Sequence, residues 1–272
     1  MIELERPLFF VHIMKTAGSD LKVRCLNWFG DEACYPRTGD DFVFANTVIS
    51  YLTDLSPERR AETKFYSGHF PFVAVEMFGE PCHTLTIIRD PVDRVVSHLR
   101  QVQRHRFGWV QHAPDLADVE DPTLDQLYDD SFLFPRFFDN HQVRQLSMNV
   151  GDEPESYVDL FDLDQGRLEL AMANLAKVDE VGLTRNYDAW LTDLAGRLGL
   201  PIRTMKRVQA APADAPDVSD ELRERIVADN AYDIAFYEFA EQLVAERANA
   251  DRRASGDPGG PGQTSSARPS SA

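Results

Sequence analysis

Two short segments hold the residue types that a phosphate-bearing ligand needs. The first is His12-Ile-Met-Lys-Thr-Ala-Gly-Ser19, which sets Lys15, Thr16, Gly18 and Ser19 close together. A strand running into such a turn and then into a helix offers backbone N–H groups, two hydroxyls and the Lys15 ammonium to one anion. The Walker order GxxxxGK[ST] is absent, because the lysine precedes the glycine. Taken alone, the segment reads equally as an ordinary turn in which Gly18 supplies a positive φ and Lys15 is solvated. The second segment is Arg89-Asp-Pro-Val-Asp-Arg-Val-Val-Ser97. A strand-end guanidinium and a helix-borne hydroxyl can hold one phosphate between them, the arginine fork matching its geometry. The competing reading is a structural Arg89–Asp93 ion pair beside a surface serine. His69 is by type either a general base or a packed, neutral side chain.

The elements that must position these residues alternate between strand and helix. Leu8–Ile13 (LFFVHI) is a continuous apolar run of strand length, the pattern of a strand buried on both faces of a parallel sheet. A helix fits Asp20–Trp28 after the turn. Further strands fit Lys64–His69, His83–Ile88 and Glu180–Leu183. Pro91 opens a helix to about Arg106, with Val92, Val95, Val96, Leu99 and Val102 on one stripe. Other helices fit Gln165–Lys177, Tyr187–Leu198 and Ser219–Val244, the last broken near Asn230. The expected fold is α/β, a P-loop-like parallel sheet flanked by helices in a single domain, and Arg89 then stands at a strand's C-terminal end, where open α/β sheets bind ligands.

Composition narrows the chemistry. The chain has 272 residues, 43% of them hydrophobic, which suits one domain of about 1–246 followed by a tail over 247–272 rich in Gly, Pro, Ser and Arg. A net charge of −17 argues against nucleic acid or an anionic membrane as partners. Only five residues are lysine, and Lys15 is one of them. The stretch from Arg89 to Arg106 sets five arginines against two aspartates, a local cationic patch in an acidic protein. Cys25, Cys34 and Cys82 lack disulfide or zinc spacing, and the histidines lack HExxH spacing, so no metal is expected. Neither a secretory signal nor a membrane-spanning run is present, so a cytoplasmic protein without membrane insertion is expected.

Taken together, the two segments resemble the sulfotransferases that use 3′-phosphoadenosine 5′-phosphosulfate (PAPS), closest to the branch of heparan-sulfate 2-O-sulfotransferases and their bacterial relatives. The family's H-I-P-K-T-G-G-T-S is similar to HIMKTAGSD here, and its R-D-P-x-x-R-x-x-S to RDPVDRVVS. SGHFPF (67–72), DNHQVRQLS (139–147), VGLTRNYDAWL (181–191) and the trio Asn230, Asp233 and Tyr237 also resemble family segments, in order from residue 9 to about 240.

The resemblance implies sulfuryl transfer from PAPS to a hydroxyl of a carbohydrate or glycoconjugate, leaving adenosine 3′,5′-bisphosphate (PAP). It places Lys15, Thr16, Ala17, Gly18 and Ser19 around the 5′-phosphosulfate, with Lys15 stabilising the leaving oxygen. Arg89 and Ser97 would grip the 3′-phosphate, and His69 would be the base. Thr184 and Tyr187 fall in the adenine-contacting loop, while Asn140 and Arg144 are assigned to the acceptor. Met14 and Ala17 depart mildly from the family pattern, Ala17 being strained if its φ is positive. Asp20 departs more seriously, because a carboxylate facing the phosphosulfate would repel it. The protein's acidity favours a small or neutral acceptor over a heparan-like chain. A catalytically weak PAP-binding protein and a small-molecule kinase are the alternatives.

Overall fold

The computed structural model describes residues 4–105, 112–201 and 218–255. Five strands form one all-parallel sheet: β1 (Leu8–Val11), β2 (Cys34–Tyr35), β3 (Phe65–Gly68), β4 (His83–Ile88) and β5 (Glu180–Leu183), in the order β2-β3-β1-β4-β5. Helix α1 (Gly18–Phe29) follows β1. Short helices α2 (Phe44–Thr47), α3 (Ile49–Thr53) and α4 (Pro57–Glu62) lie between β2 and β3, and α5 (Val73–Phe78) between β3 and β4. Then come α6 (Pro91–His105), α7 (Leu124–Asp129), a π-helical turn over Phe134–Phe138, α8 (His141–Ser147) and α9 (Gln165–Lys177). Helices α10 (Tyr187–Arg197), α11 (Asp220–Asp229) and α12 (Ala231–Ser255) close the chain.

Burial on both faces explains the continuous apolar strands. Leu8 and Phe10 pack with Leu21 and Cys25 of α1 and Leu191 and Leu194 of α10, whereas Phe9 and Val11 pack with Val143 of α8, Leu175 of α9 and Phe236 of α12. The α6 stripe buries Val95, Val96, Leu99 and Val102 in a third cluster with Tyr128, Phe138, Leu222 and Ile226. The connection leaving β1 runs toward β2, and the one leaving β4 runs toward β5. Between these neighbouring strands lies the switch point where an open α/β sheet leaves a crevice. The turn after β1 and the Arg89 segment after β4 therefore flank one crevice.

The chain is helical across the expected boundary at 247. Helix α12 continues through Ser255, and the Arg247 guanidinium donates to the carbonyls of Ala176 and Val178 at the C-terminal end of α9. The Ala- and Arg-rich stretch at 247–254 has good helix propensity, which a composition count for disorder overlooks. Residues 256–272 lie outside the described residues. The expected break near Asn230 is present, dividing α11 from α12. No described helix is long and apolar enough to cross a membrane.

Candidate anion-binding and proton-transfer site

The turn after β1 is built differently from the simple reading. Lys15 and Ala17, not Gly18, hold positive φ, at 69° and 70°. Gly18 is required for another reason: a Cβ there would run into the His12 ring. Thr16 is fully buried and donates its hydroxyl to the Ile13 carbonyl at 2.9 Å, which closes the turn. The Thr16 hydroxyl hydrogen is thus spent within the protein. Ser19 is half-buried in the first turn of α1. An L-residue in the left-handed region costs about 1–2 kcal/mol, and glycine returns part of that gain as unfolded-chain entropy. Ala17→Gly is therefore expected to stabilise the protein by about 0.5–1 kcal/mol, seen as a rise of ~1–4 °C in thermal melts.

Across the crevice, Arg89 is fastened by its backbone. Its N–H donates to Gln142 Oε1 at 3.0 Å and its carbonyl accepts from Gln142 Nε2 at 2.8 Å, so the Gln142 amide stands in for a neighbouring strand. The guanidinium donates to the Lys15 carbonyl at 3.1 Å, joining the two segments directly. Burial and the nearby charges of Arg89 and Arg104 lower the Lys15 pKa to about 8. Burial likewise lowers the Arg89 pKa, while Asp93 and Asp90 act on it only through space. Among the described residues no carboxylate forms an ion pair with Lys15 or Arg89, so the Arg89–Asp93 pair does not form. Two cations stand close together and half-buried, with no described carboxylate in an ion pair with either, an arrangement suited to an anion. Ser97, two turns into α6, is half-buried as well.

His69 follows β3 at the same end of the sheet. Its Nδ1 lies 3.0 Å from the His12 carbonyl, so Nδ1 carries the proton and Nε2 keeps its lone pair. Its backbone N–H donates to the Asn46 carbonyl at 2.6 Å. Burial, with Lys22 and Lys15 nearby, depresses its pKa to about 4 despite the favourable hydrogen bond to His12. The ring is therefore neutral at pH 7 and able to accept a proton. His12 packs under it, centroids 4.4 Å apart, and is itself held well below the ordinary value by burial.

Several expected ligand contacts are instead internal struts. Asn140, at 5% exposure and φ 43°, donates to Asn230 Oδ1 from its backbone and to the Asp229 carbonyl and Asp139 from its side chain, and accepts from the Asp233 N–H. Arg144 spends its donors on Asp139 and the Phe161 carbonyl. Both side chains thus serve the fold, Asn140 with its amide fully engaged and Arg144 with three of its five N–H donors in use. Tyr187 is 1% exposed and gives its hydroxyl to Asp20 at 2.8 Å, so it belongs to the core and not to an adenine platform. Thr184 donates to the Ile88 carbonyl at 3.1 Å.

Asp20 is turned away from the turn. Its carboxylate receives Arg24 Nε at 2.5 Å and the Tyr187 hydroxyl, so it does not confront an anion over the loop. The residues missed from sequence are Gln142, Asn46 and Lys22. Gln142 has a spacing signal within the N-x-Q-x-R-x-L stretch; the other two have none, since their partners lie far along the chain. No group of His, Cys, Asp or Glu among the described residues could hold a metal ion. No family model matches the chain, and no curated protein matches it significantly.

Proposed function

We propose that this protein is a PAPS-dependent sulfotransferase of P-loop-like architecture that sulfates a hydroxyl on a small acceptor of carbohydrate or glycoconjugate type. The observation that carries the reading is the juxtaposition of Lys15 and Arg89, uncompensated by carboxylates, with a neutral imidazole at the end of the adjacent strand. In the reaction the acceptor oxygen attacks sulfur as the bond to the bridging oxygen breaks. Nε2 of His69 takes the acceptor's proton, and the Lys15 ammonium meets the charge developing on the leaving phosphate of PAP. Backbone N–H groups of residues 15–19 and the Ser19 hydroxyl complete the cradle for the 5′-phosphate. Arg89 and Ser97 hold the 3′-phosphate. The orientation of Asp20 removes the main reason to favour a protein that binds without catalysis.

Binding of PAP tests this directly. At about a hundred times its Kd, a ligand specific for the folded state adds ~2.7 kcal/mol, or roughly 5–11 °C in melting temperature for a chain of this size. Arg89→Ala is expected to erase that shift. Because Lys15 loses its proton above about pH 8, the shift should also shrink as pH rises through that value. No shift with millimolar PAP would refute the reading.

A further inference from the structure

Beside His69 the surface carries an apolar patch with the Lys22 ammonium set into it. Phe42, Val43, Phe44 and Tyr51 are 76, 58, 48 and 47% exposed, and the rings of Phe44 and Tyr51 stack at 5.5 Å. Scattered exposed apolar side chains are ordinary on a protein surface; four large ones in one short segment form a patch. The segment is held in place. Asp41 Oδ1 accepts from the N–H groups of Val43 and Phe44, the Asn46 amide donates to the Phe42 carbonyl at 2.6 Å, and Ile49 N–H is tied to the Glu155 carbonyl.

Asn46 links this patch to the proton-transfer site. Its backbone carbonyl receives the His69 N–H, and its side-chain oxygen receives Lys22 Nζ at 3.1 Å. Lys22 Nζ also lies 5.8 Å from the Phe42 ring centroid. Among the described residues no carboxylate pairs with Lys22, and Asp31 reaches it only through space. Lys22 is therefore a second uncompensated cation, separate from the Lys15–Arg89 pair and bordered by aromatic surface. One ammonium in an apolar setting complements one carboxylate on an apolar body. The protein's net charge of −17 disfavours an acceptor carrying many charges.

We propose that the acceptor is a small amphipathic hydroxy acid, with its hydroxyl at His69, its apolar or aromatic body along Phe42, Phe44 and Tyr51, and its carboxylate on Lys22. This rests on the sulfuryl-transfer reading for the role of His69 and replaces the carbohydrate acceptor expected from sequence with a hydroxy acid.

The test uses 3-(4-hydroxyphenyl)propanoate, its methyl ester and methyl glucoside as probes. Binding to the full chain is measured by calorimetry without donor, and transfer is then measured with PAPS. The acid is expected to bind roughly tenfold or more tightly than the ester, the range of a charge-assisted hydrogen bond. Lys22→Met should abolish that preference while the ester binds as before, and Phe42→Ser should weaken acid and ester alike. Both variants should keep the PAP-induced thermal shift, which shows that they fold and that the donor site is intact.

Equal binding of acid and ester, preference for the glucoside, or an acid preference that survives Lys22→Met would overturn the proposal. PAP binding with no acid binding would overturn it and leave the donor reading standing. Acid binding that depends on Lys22 without PAP binding would support this site and sink the donor reading. If Phe42→Ser instead abolished pelleting with phosphatidylglycerol vesicles or a concentration-dependent dimer, with the acid unbound, the patch would belong to a membrane or a second copy.

Discussion

Lowering the pH from 7 to 5 is expected to remove most of the protein's stability. Four histidines, His12, His69, His98 and His141, have folded-state pKa values depressed below 6.5, chiefly by burial. His98 stands edge-on to Phe137 and Phe138, and His141 hydrogen-bonds the Arg136 carbonyl through Nδ1. Both lie near Arg94, whose guanidinium is fully buried and donates to the Phe137 carbonyl at 3.0 Å. A proton on either imidazole would face that cation.

The sign follows from proton counting. Below pH 6.5 the unfolded chain binds protons that the folded histidines refuse, so stability falls as pH falls. Each such group contributes a slope of up to ~1.4 kcal/mol per pH unit between its unfolded and folded values. Four together reach about 5 kcal/mol per unit, against a total stability of about 5–15 kcal/mol for ordinary domains. Buried Asp233, whose pKa is raised by burial, opposes the trend, because the folded protein takes up its proton before the unfolded chain does. Glu180, held at about 2 by Arg197 and His83 against its burial, keeps its contribution until pH falls below the ordinary carboxylate value. Failure should thus precede carboxylate titration. Thermal melts at half-unit steps from pH 7 to 5 measure it, and a flat profile would contradict the burial of these rings.

The second large effect is on turnover. His69→Ala is expected to lower kcat by about 10²–10⁴-fold, the range for loss of a positioned general base. PAP should still raise the melting temperature of the variant if, as proposed, the Lys15–Arg89 side of the crevice holds the anion. Steady-state transfer beside the thermal shift separates the two roles. A variant that turns over normally would remove His69 from the mechanism; one that loses the thermal shift would place the imidazole on the donor. Burial lowers the ring's basicity, and a phosphosulfate anion beside it would favour the protonated form.

Much of the architecture was legible because parallel strands buried on two faces leave no polar alternation. Leu8–Val11 shows this directly, His83–Ile88 registers instead through its β-branched Thr and Ile residues, and most of the α6 stripe lies in the core. The two-residue β2 was not legible, since Cys34–Tyr35 is too short for any period to register. The site residues divide by the range of their partners. Lys15, Arg89 and His69 stand out by local spacing, and the fold brings them to one end of the sheet. Asn140, Arg144 and Tyr187 were assigned to ligands, yet each completes a hydrogen-bond set with other parts of the fold. For Asn140 the decisive partners, Asn230 and Asp233, lie about ninety residues away, and nothing local announces them. Lys22 escaped notice for the same reason, its neighbour Asn46 being on a different element.

The strut from α12 to α8 has a consequence for the order in which the protein becomes competent. Asp233 accepts the N–H groups of Gln142 and Val143, Asn230 receives the Asn140 N–H, and Gln142 in turn clasps the Arg89 backbone. The five described strands and the segments that carry Lys15 and Arg89 are complete by residue 183. A chain emerging from the ribosome has thus made its whole sheet before it owns the side chains that brace Arg89. Folding from the N-terminal end during synthesis can build the frame early. The brace on Arg89 is therefore complete only once residues 230–233 have emerged, about fifty residues after the last strand of the sheet.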